Sequence, residues 1–199
     1  MQTQDQKNLN KKKKGLKKDV KYVKTVGPSR VKLLNKLKIY TLKDLITYYP
    51  RDYEDRSKPK NIYECEDGEE VLIEAMPTGK ISEYRKGKMV ISRLIVKDQT
   101  GTCYITWFNQ GYLKSVFAPG RLYRFFGKVA KKGNRIEMNS PVYDEIDQSK
   151  NTGKIIPIYP LTYELKQNTL RKIMENGLTE VFGKLDETLP EYVLKENNL

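Results

Sequence analysis

Histidine is absent from this chain, tryptophan occurs once and cysteine only twice. Without imidazole there is no His-based catalytic triad, no His-ligated zinc and no imidazole acid–base chemistry. Cys65 and Cys103 stand in no metal-ligand spacing. Two isolated thiols fit a reducing cytoplasm, with pairing in an oxidising compartment as the alternative. Cys103 falls mid-strand with no basic activator nearby in sequence and reads as a small buried hydrophobe. Long apolar runs are also missing, so no membrane partner is expected, and the Lys-rich start lacks the apolar core of a signal peptide. A soluble, cytoplasmic protein is the expectation. No Gly-x-x-x-x-Gly-Lys-Ser/Thr loop is present to cradle nucleotide phosphates. Asp144-Glu145-Ile146-Asp147 superficially resembles a magnesium-holding acidic box. It follows Pro141-Val142 rather than a buried apolar strand, and reads as a solvated linker. No catalytic residue, metal ligand or cofactor is assigned to these residues.

Positive charge is what the chain has in excess. Its 38 Lys and Arg outnumber 25 Asp and Glu, for a formal charge of +13. Such a balance points to an acidic polymer or surface as partner. The excess is uneven, since the first 24 residues carry nine Lys against Asp5 and Asp19. Residues 1–14, ending in Lys11-Lys12-Lys13-Lys14, bury little and read as a disordered basic arm. It either adds salt-dependent phosphate affinity or serves as a solubilising tail.

The rest divides into a helical segment over 15–60, a β-rich domain over 61–146, and a linker with a helical tail over 147–199. Pro28 after Gly27 suits a first helical turn, and Val31, Leu33, Leu34 and Leu37 recur at helical spacing. Thr41 with Asp44 makes an approximate capping box for a second helix that ends before Pro50. The turn between Thr25 and Pro28 resembles half of a helix-hairpin-helix, with Thr25 where the first Gly is usual. It either packs helices tightly or holds a phosphate at a helix N-terminus. Arg51 to Arg56 is too charged for a core and reads as an ordered connector. In the tail, a helix is expected over Asn168–Asn176, and Leu178–Leu185 and Pro190–Leu194 add apolar residues that would pack on something further.

Five strands are expected in the central domain: Val71 toward Ile81 with a bulge at Pro77, Met89–Val96, Thr102–Phe108, Leu122–Val129 and Arg135–Asn139. A helix-like insert over Asn109–Phe117 separates the third from the fourth. That layout is an OB-fold, the five-stranded oligonucleotide-binding barrel. Cys103, Ile105 and Trp107 alternate with Tyr104 and Thr106 along the third strand. The strand runs out into Trp107-Phe108-Asn109-Gln110-Gly111-Tyr112. These aromatics either cap a small core or form a platform on which bases stack, with Phe108 and Tyr112 as the stacking pair. Two basic turns, Arg85-Lys86-Gly87-Lys88 and Lys131-Lys132-Gly133-Asn134-Arg135, join strands one–two and four–five. In this barrel those loops flank the binding face. Hairpin tips are also charged for plain exposure, and both readings stand at this point.

Several uncommon strings occur together. Val26-Gly27-Pro28, Leu42-Lys43-Asp44-Leu45 and Tyr48-Tyr49-Pro50-Arg51-Asp52-Tyr53-Glu54-Asp55-Arg56 are followed by Phe108-Asn109-Gln110, Tyr112-Leu113-Lys114, Pro119-Gly120 and Gly127-Lys128. Ile158-Tyr159-Pro160-Leu161-Thr162 and Thr169-Leu170-Arg171-Lys172 complete the set. Over residues 20–180 the chain resembles the amino-terminal wedge region of the bacterial RecG helicase family. The resemblance implies an ATP- and magnesium-dependent DNA helicase that remodels stalled forks and Holliday junctions in repair and recombination, with the motor domains elsewhere in the same chain. It implies a branched-DNA-binding wedge fragment whose Phe108 and Tyr112 stack on unpaired bases, with Trp107 where relatives often carry a second Phe. Arg85, Lys86, Lys88, Lys131, Lys132 and Arg135 would then meet DNA backbone phosphates. The competing reading is a stand-alone single-strand or RNA-binding OB-fold protein.

Overall fold

The computed structural model describes residues 15–148, 150–183, 185 and 190–198. The basic arm expected over residues 1–14 lies outside them. The chain forms two compact units, residues 1–52 with 157–199 and residues 53–156.

The first unit is helical. A 3-10 turn at Val20–Tyr22 leads to α1 (Pro28–Lys36), with Pro28 in the first turn, and to α2 (Leu42–Ile46). The Thr41 hydroxyl accepts from the Asp44 N–H at 3.2 Å, and the Asp44 carboxylate accepts from the Thr41 N–H at 2.9 Å. The shorter acid therefore still closes the capping box. α3 (Gln167–Val181) continues past the expected end at Asn176, and α4 (Glu191–Asn197) follows. Gly177 lies within α3, where a Cβ would come within 2.6 Å of Leu45 Cδ2, so the helices approach too closely there for a larger residue. Leu170, Ile173, Met174 and Val181 bury with Val20, Leu34, Leu42 and Leu45 in one core. Of the apolar tail over Leu178–Leu185 and Pro190–Leu194, Val181 packs into this core, whereas Leu178, Phe182, Leu185 and Tyr192 are exposed. Gly177→Val should destabilise this unit, since overpacking costs about 1–3 kcal/mol. Urea unfolding followed by far-UV circular dichroism checks it, and an unchanged midpoint would mean the helices part freely.

Thr25 adopts the left-handed conformation at φ 74°, where the hairpin pattern has Gly. Asn176 Nδ2 donates to the Thr25 hydroxyl at 3.1 Å and to the Lys24 carbonyl at 2.9 Å. Side-chain hydrogen bonds from α3 thus hold a turn that is strained for a β-branched residue.

In chain order the strands are β1 (Asp52–Asp55), β2 (Glu70–Pro77), β3 (Ser82–Lys86), β4 (Met89–Lys97), β5 (Thr102–Phe108), β6 (Tyr123–Lys132), β7 (Arg135–Asn139), β8 (Val142–Glu145) and β9 (Ile155–Ile158), of which β2 to β8 lie wholly in the second unit. β1 and β9 pair as a two-stranded ribbon. The five expected strands are β2, β4, β5, β6 and β7. Pairing runs β2–β4–β5–β7–β6 and returns from β6 to β2, with only β5–β7 parallel. The β2–β4 join is two residue pairs long and sits at Pro77, which can give no ladder N–H, so the barrel is laced thinly there and is not strictly closed. The sequence reading missed β3, which forms a hairpin with β4, and β8, which extends the sheet beyond β6.

Ile73, Leu94, Val96, Cys103, Ile105, Trp107, Phe125 and Met138 fill the barrel. Burial pushes the Cys65 thiol up to about 11 and the Cys103 thiol up to about 12, so both behave as small hydrophobes.

Two expectations are corrected. Arg56, placed in a connector too charged for burial, is buried. It pairs with Glu54, donates to the Asn151 carbonyl at 2.9 Å and lies 4.4 Å over the Phe126 ring. Asp144, read as part of a solvated linker, is buried too. It accepts from the Asn151 and Thr152 N–H groups at 2.6 and 2.8 Å and from the Thr152 hydroxyl at 2.9 Å. A carboxylate with that many donors is stable out of water, which its exposed-looking neighbours in sequence do not reveal.

Candidate nucleic-acid interface

The site grows out of the period of two along β5. Cys103, Ile105 and Trp107 face the core, and Tyr104, Thr106 and Phe108 face out. Trp107 is 1% exposed, its ring stacked on Phe117 at 5.3 Å and edge-on to Tyr143 at 6.1 Å. Its indole N–H donates to the Pro141 carbonyl at 3.2 Å. Trp107 therefore offers no free face to a base, and its place among the stacking residues is withdrawn. Phe108, opposite Ile91 on β4, is 40% exposed.

Beyond Phe108 the chain turns sharply. Asn109 takes φ 55°, a left-handed conformation that Asn tolerates. Its N–H donates to the Val90 carbonyl at 2.7 Å and its side-chain oxygen accepts from the Val90 N–H at 3.0 Å, closing the ladder. A 3-10 turn over Gly111–Ser115 follows, where the sequence led us to expect a helix-like insert. Leu113 anchors it in the core, and Tyr112 stands 61% exposed. The Tyr112 hydroxyl donates to Gln110 Oε1 at 3.0 Å.

Glu83, unnoticed in the sequence, ties this turn to the sheet. Its carboxylate pairs with Lys114 at 2.5 Å and accepts from the buried Ser92 hydroxyl at 3.3 Å. The Lys114 ammonium holds it below the usual carboxylate range. The only local signal was its inward position in the β3 alternation, legible only once β3 itself is known.

The two basic turns differ in their partners. Gly87 and Gly133 both take φ 60°, as tight hairpins require. Arg85, Lys86 and Lys88 are exposed, and among the described residues none of them is in an ion pair. At the other turn Lys132 and Arg135 share Glu137, at 3.0 and 2.8 Å, while Lys131 Nζ reaches the Cys65 carbonyl at 3.5 Å. The sequence reading saw no acid within that turn, but the neutralising carboxylate arrives from β7, two residues beyond Arg135.

Among the described residues no helix is long and apolar enough to cross a membrane. Comparison with known proteins gives one consistent answer. The family model described as RecG wedge domain matches residues 19–181. A protein named ATP-dependent DNA helicase RecG from Thermotoga maritima is 35% identical over 192 residues, covering 91% of this chain and 24% of that protein. Its namesake from Bacillus subtilis is 28% identical, covering 89% of this chain and 26% of its own length. This chain thus spans about a quarter of the length of the curated relatives it matches. A solved structure of RecG bound to a three-way DNA junction superposes with a TM-score of 0.82 at 32% identity, over 92% of this chain and 26% of that one. The chain belongs to the RecG wedge domain family.

Proposed function

We propose that this chain binds the branch point of forked DNA, as the wedge of an ATP-driven helicase that remodels stalled replication forks and Holliday junctions. The observation that carries the reading is the pair Phe108 and Tyr112, two exposed aromatics on successive elements of a barrel, beside a hairpin whose Arg85, Lys86 and Lys88 are in no ion pair among the described residues. Stacking on an unpaired base needs no sequence match and is worth about 1–3 kcal/mol per base. Arg85, Lys86 and Lys88, with no ion pair among the described residues to break, meet phosphates directly. Lys132 and Arg135 first exchange Glu137 for a phosphate, and Lys131 contributes by its charge. The basic arm over residues 1–14 adds affinity that salt screens.

ATP and magnesium belong to the motor of such a helicase. The residues of this chain do not fit them: there is no phosphate-cradling loop, and among the described residues no cluster of three acids, cysteines or histidines could hold a metal. The work of this part is to bind and split strands while a motor domain elsewhere pulls the duplex.

Competition among a fork, a duplex, single-stranded DNA and single-stranded RNA of equal length tests the reading. The fork should compete best. Equal competition by RNA and single-stranded DNA, with no gain for the fork, would favour a stand-alone single-strand or RNA-binding barrel instead.

A further inference from the structure

Glu83 is an acid set between two elements that the branch-point reading assigns to DNA, where charge alone argues against one. It stands on β3 opposite Ser92 of β4, and its side chain is 16% exposed. Its two carboxylate oxygens have separate tasks. Oε2 takes the Lys114 ammonium near the end of the 3-10 turn, and Oε1 accepts from the buried Ser92 hydroxyl. A Cβ on Gly111, the first residue of that turn, would stand 3.4 Å from Oε1. One side chain of β3 therefore packs against both the start and the end of the turn that carries Tyr112.

The turn is tied to β4 as well, because Asn109 exchanges two hydrogen bonds with Val90. β3 and β4 are the two strands of the hairpin tipped by Arg85, Lys86 and Lys88. Glu83 lies three residues before Lys86, roughly 10 Å at the rise of a strand. Leu113 anchors the turn in the core at one point, and the Lys114–Glu83 pair fixes a second, which sets its rotation. The Tyr112 hydroxyl is held on Gln110 Oε1 and lies beside the Tyr143 phenol, which burial and this neighbour push up to about 12. The direction of the Tyr112 ring thus follows the turn, and the turn follows Glu83. The Lys114 side chain is 60% exposed, and such a pair adds little to stability, so its loss should show in orientation before it shows in unfolding. We propose that Glu83 is a positioning residue for the branch point: it aims Tyr112 at the unpaired base and locks the stacking turn to the basic hairpin, so that both meet DNA as one body. The proposal rests on the branch-point reading and names the group that sets its preference for fork over duplex.

The sign of the effect makes the test. Removing an anion beside a DNA contact strengthens binding to any DNA by charge alone. Glu83→Gln in the 199-residue chain keeps an acceptor for Ser92 and should instead weaken fork binding roughly tenfold, the loss of one stacked base, while duplex binding holds or tightens. 2-Aminopurine at the first unpaired position should be quenched by the wild type and less by Glu83→Gln. Lys114→Met breaks the same pair from its exposed side, so it should also lose quenching even if Glu83→Gln folds poorly, and Lys114→Arg should retain it. In the wild type, removing the hairpin cations (Arg85→Ala/Lys86→Ala/Lys88→Ala) and Tyr112 (Tyr112→Ala) together should cost the fork roughly fivefold less than the product of the separate losses. In the Glu83→Gln background the two losses should simply multiply. Fork affinity at or above wild type in both Glu83→Gln and Lys114→Met overturns the proposal, and so does equal loss on fork and duplex, the mark of a merely structural residue. Failure of the branch-point reading looks different: Phe108→Ala/Tyr112→Ala would then bind the fork as the wild type does.

Discussion

Replacing both Phe108 and Tyr112 by Ala should weaken fork binding by about 2–6 kcal/mol if each ring stacks one base, thirtyfold at the least. Duplex binding should hardly change, because a duplex offers phosphates and no unstacked base at this turn. Both rings protrude from elements anchored by other residues. Phe108 extends a strand whose inward side chains are Ile105 and Trp107, and Tyr112 sits on a turn held by Leu113 and by the Glu83–Lys114 pair. The double variant should therefore unfold at close to the wild-type midpoint, which separates lost binding from lost folding. Titration of a labelled fork and a labelled duplex gives both affinities. Equal loss on the two substrates, or none, would mean that these rings are idle.

The adjacent residue should behave in the opposite way. Trp107→Ala should cost the second unit about 3–5 kcal/mol, a large part of the 5–15 kcal/mol that stabilises a typical domain. The loss has two sources. The ring packs against Phe117, Phe125 and Tyr143, and its departure leaves a cavity among them. The Pro141 carbonyl also loses its donor. Trp107→Phe restores much of the packing without the N–H, so it should cost about 1–3 kcal/mol for the unmet carbonyl. Urea unfolding read by circular dichroism orders the three proteins. Fork binding by the Phe variant, measured where it is fully folded, should match wild type, since Trp107 meets no base. A selective fork defect in a fully folded Trp107→Phe protein would return this residue to the interface.

That neighbours one residue apart have opposite roles follows from the alternation Cys103, Ile105, Trp107, which was visible in the sequence. The same local logic found the five barrel strands, the Thr41–Asp44 cap and both basic turns. It failed where a polar side chain is buried by partners in a different element or loop. Arg56 is buried because the Asn151 carbonyl receives it, and Asp144 because Thr152 surrounds it with donors. Neither partner is marked by composition. The helix expected to end at Asn176 runs on to Val181 through Gly177, where Leu45 approaches too closely for any side chain. At the site, charge was legible as a count but not as availability. Glu137 engages Lys132 and Arg135, whereas Arg85, Lys86 and Lys88 are in no ion pair among the described residues, so the two hairpins are unequal although their sequences look alike.

Under the proposed function this domain reads unpaired bases at a branch rather than charge alone. Salt separates the two, because phosphate contacts weaken as counterions compete while base stacking does not. The deciding measurement is the ratio of fork to duplex affinity at 50 and 200 mM salt. Both affinities should fall while the fork preference persists or grows. A preference that vanishes at the higher salt would contradict the proposed function and leave a basic surface with no wedge.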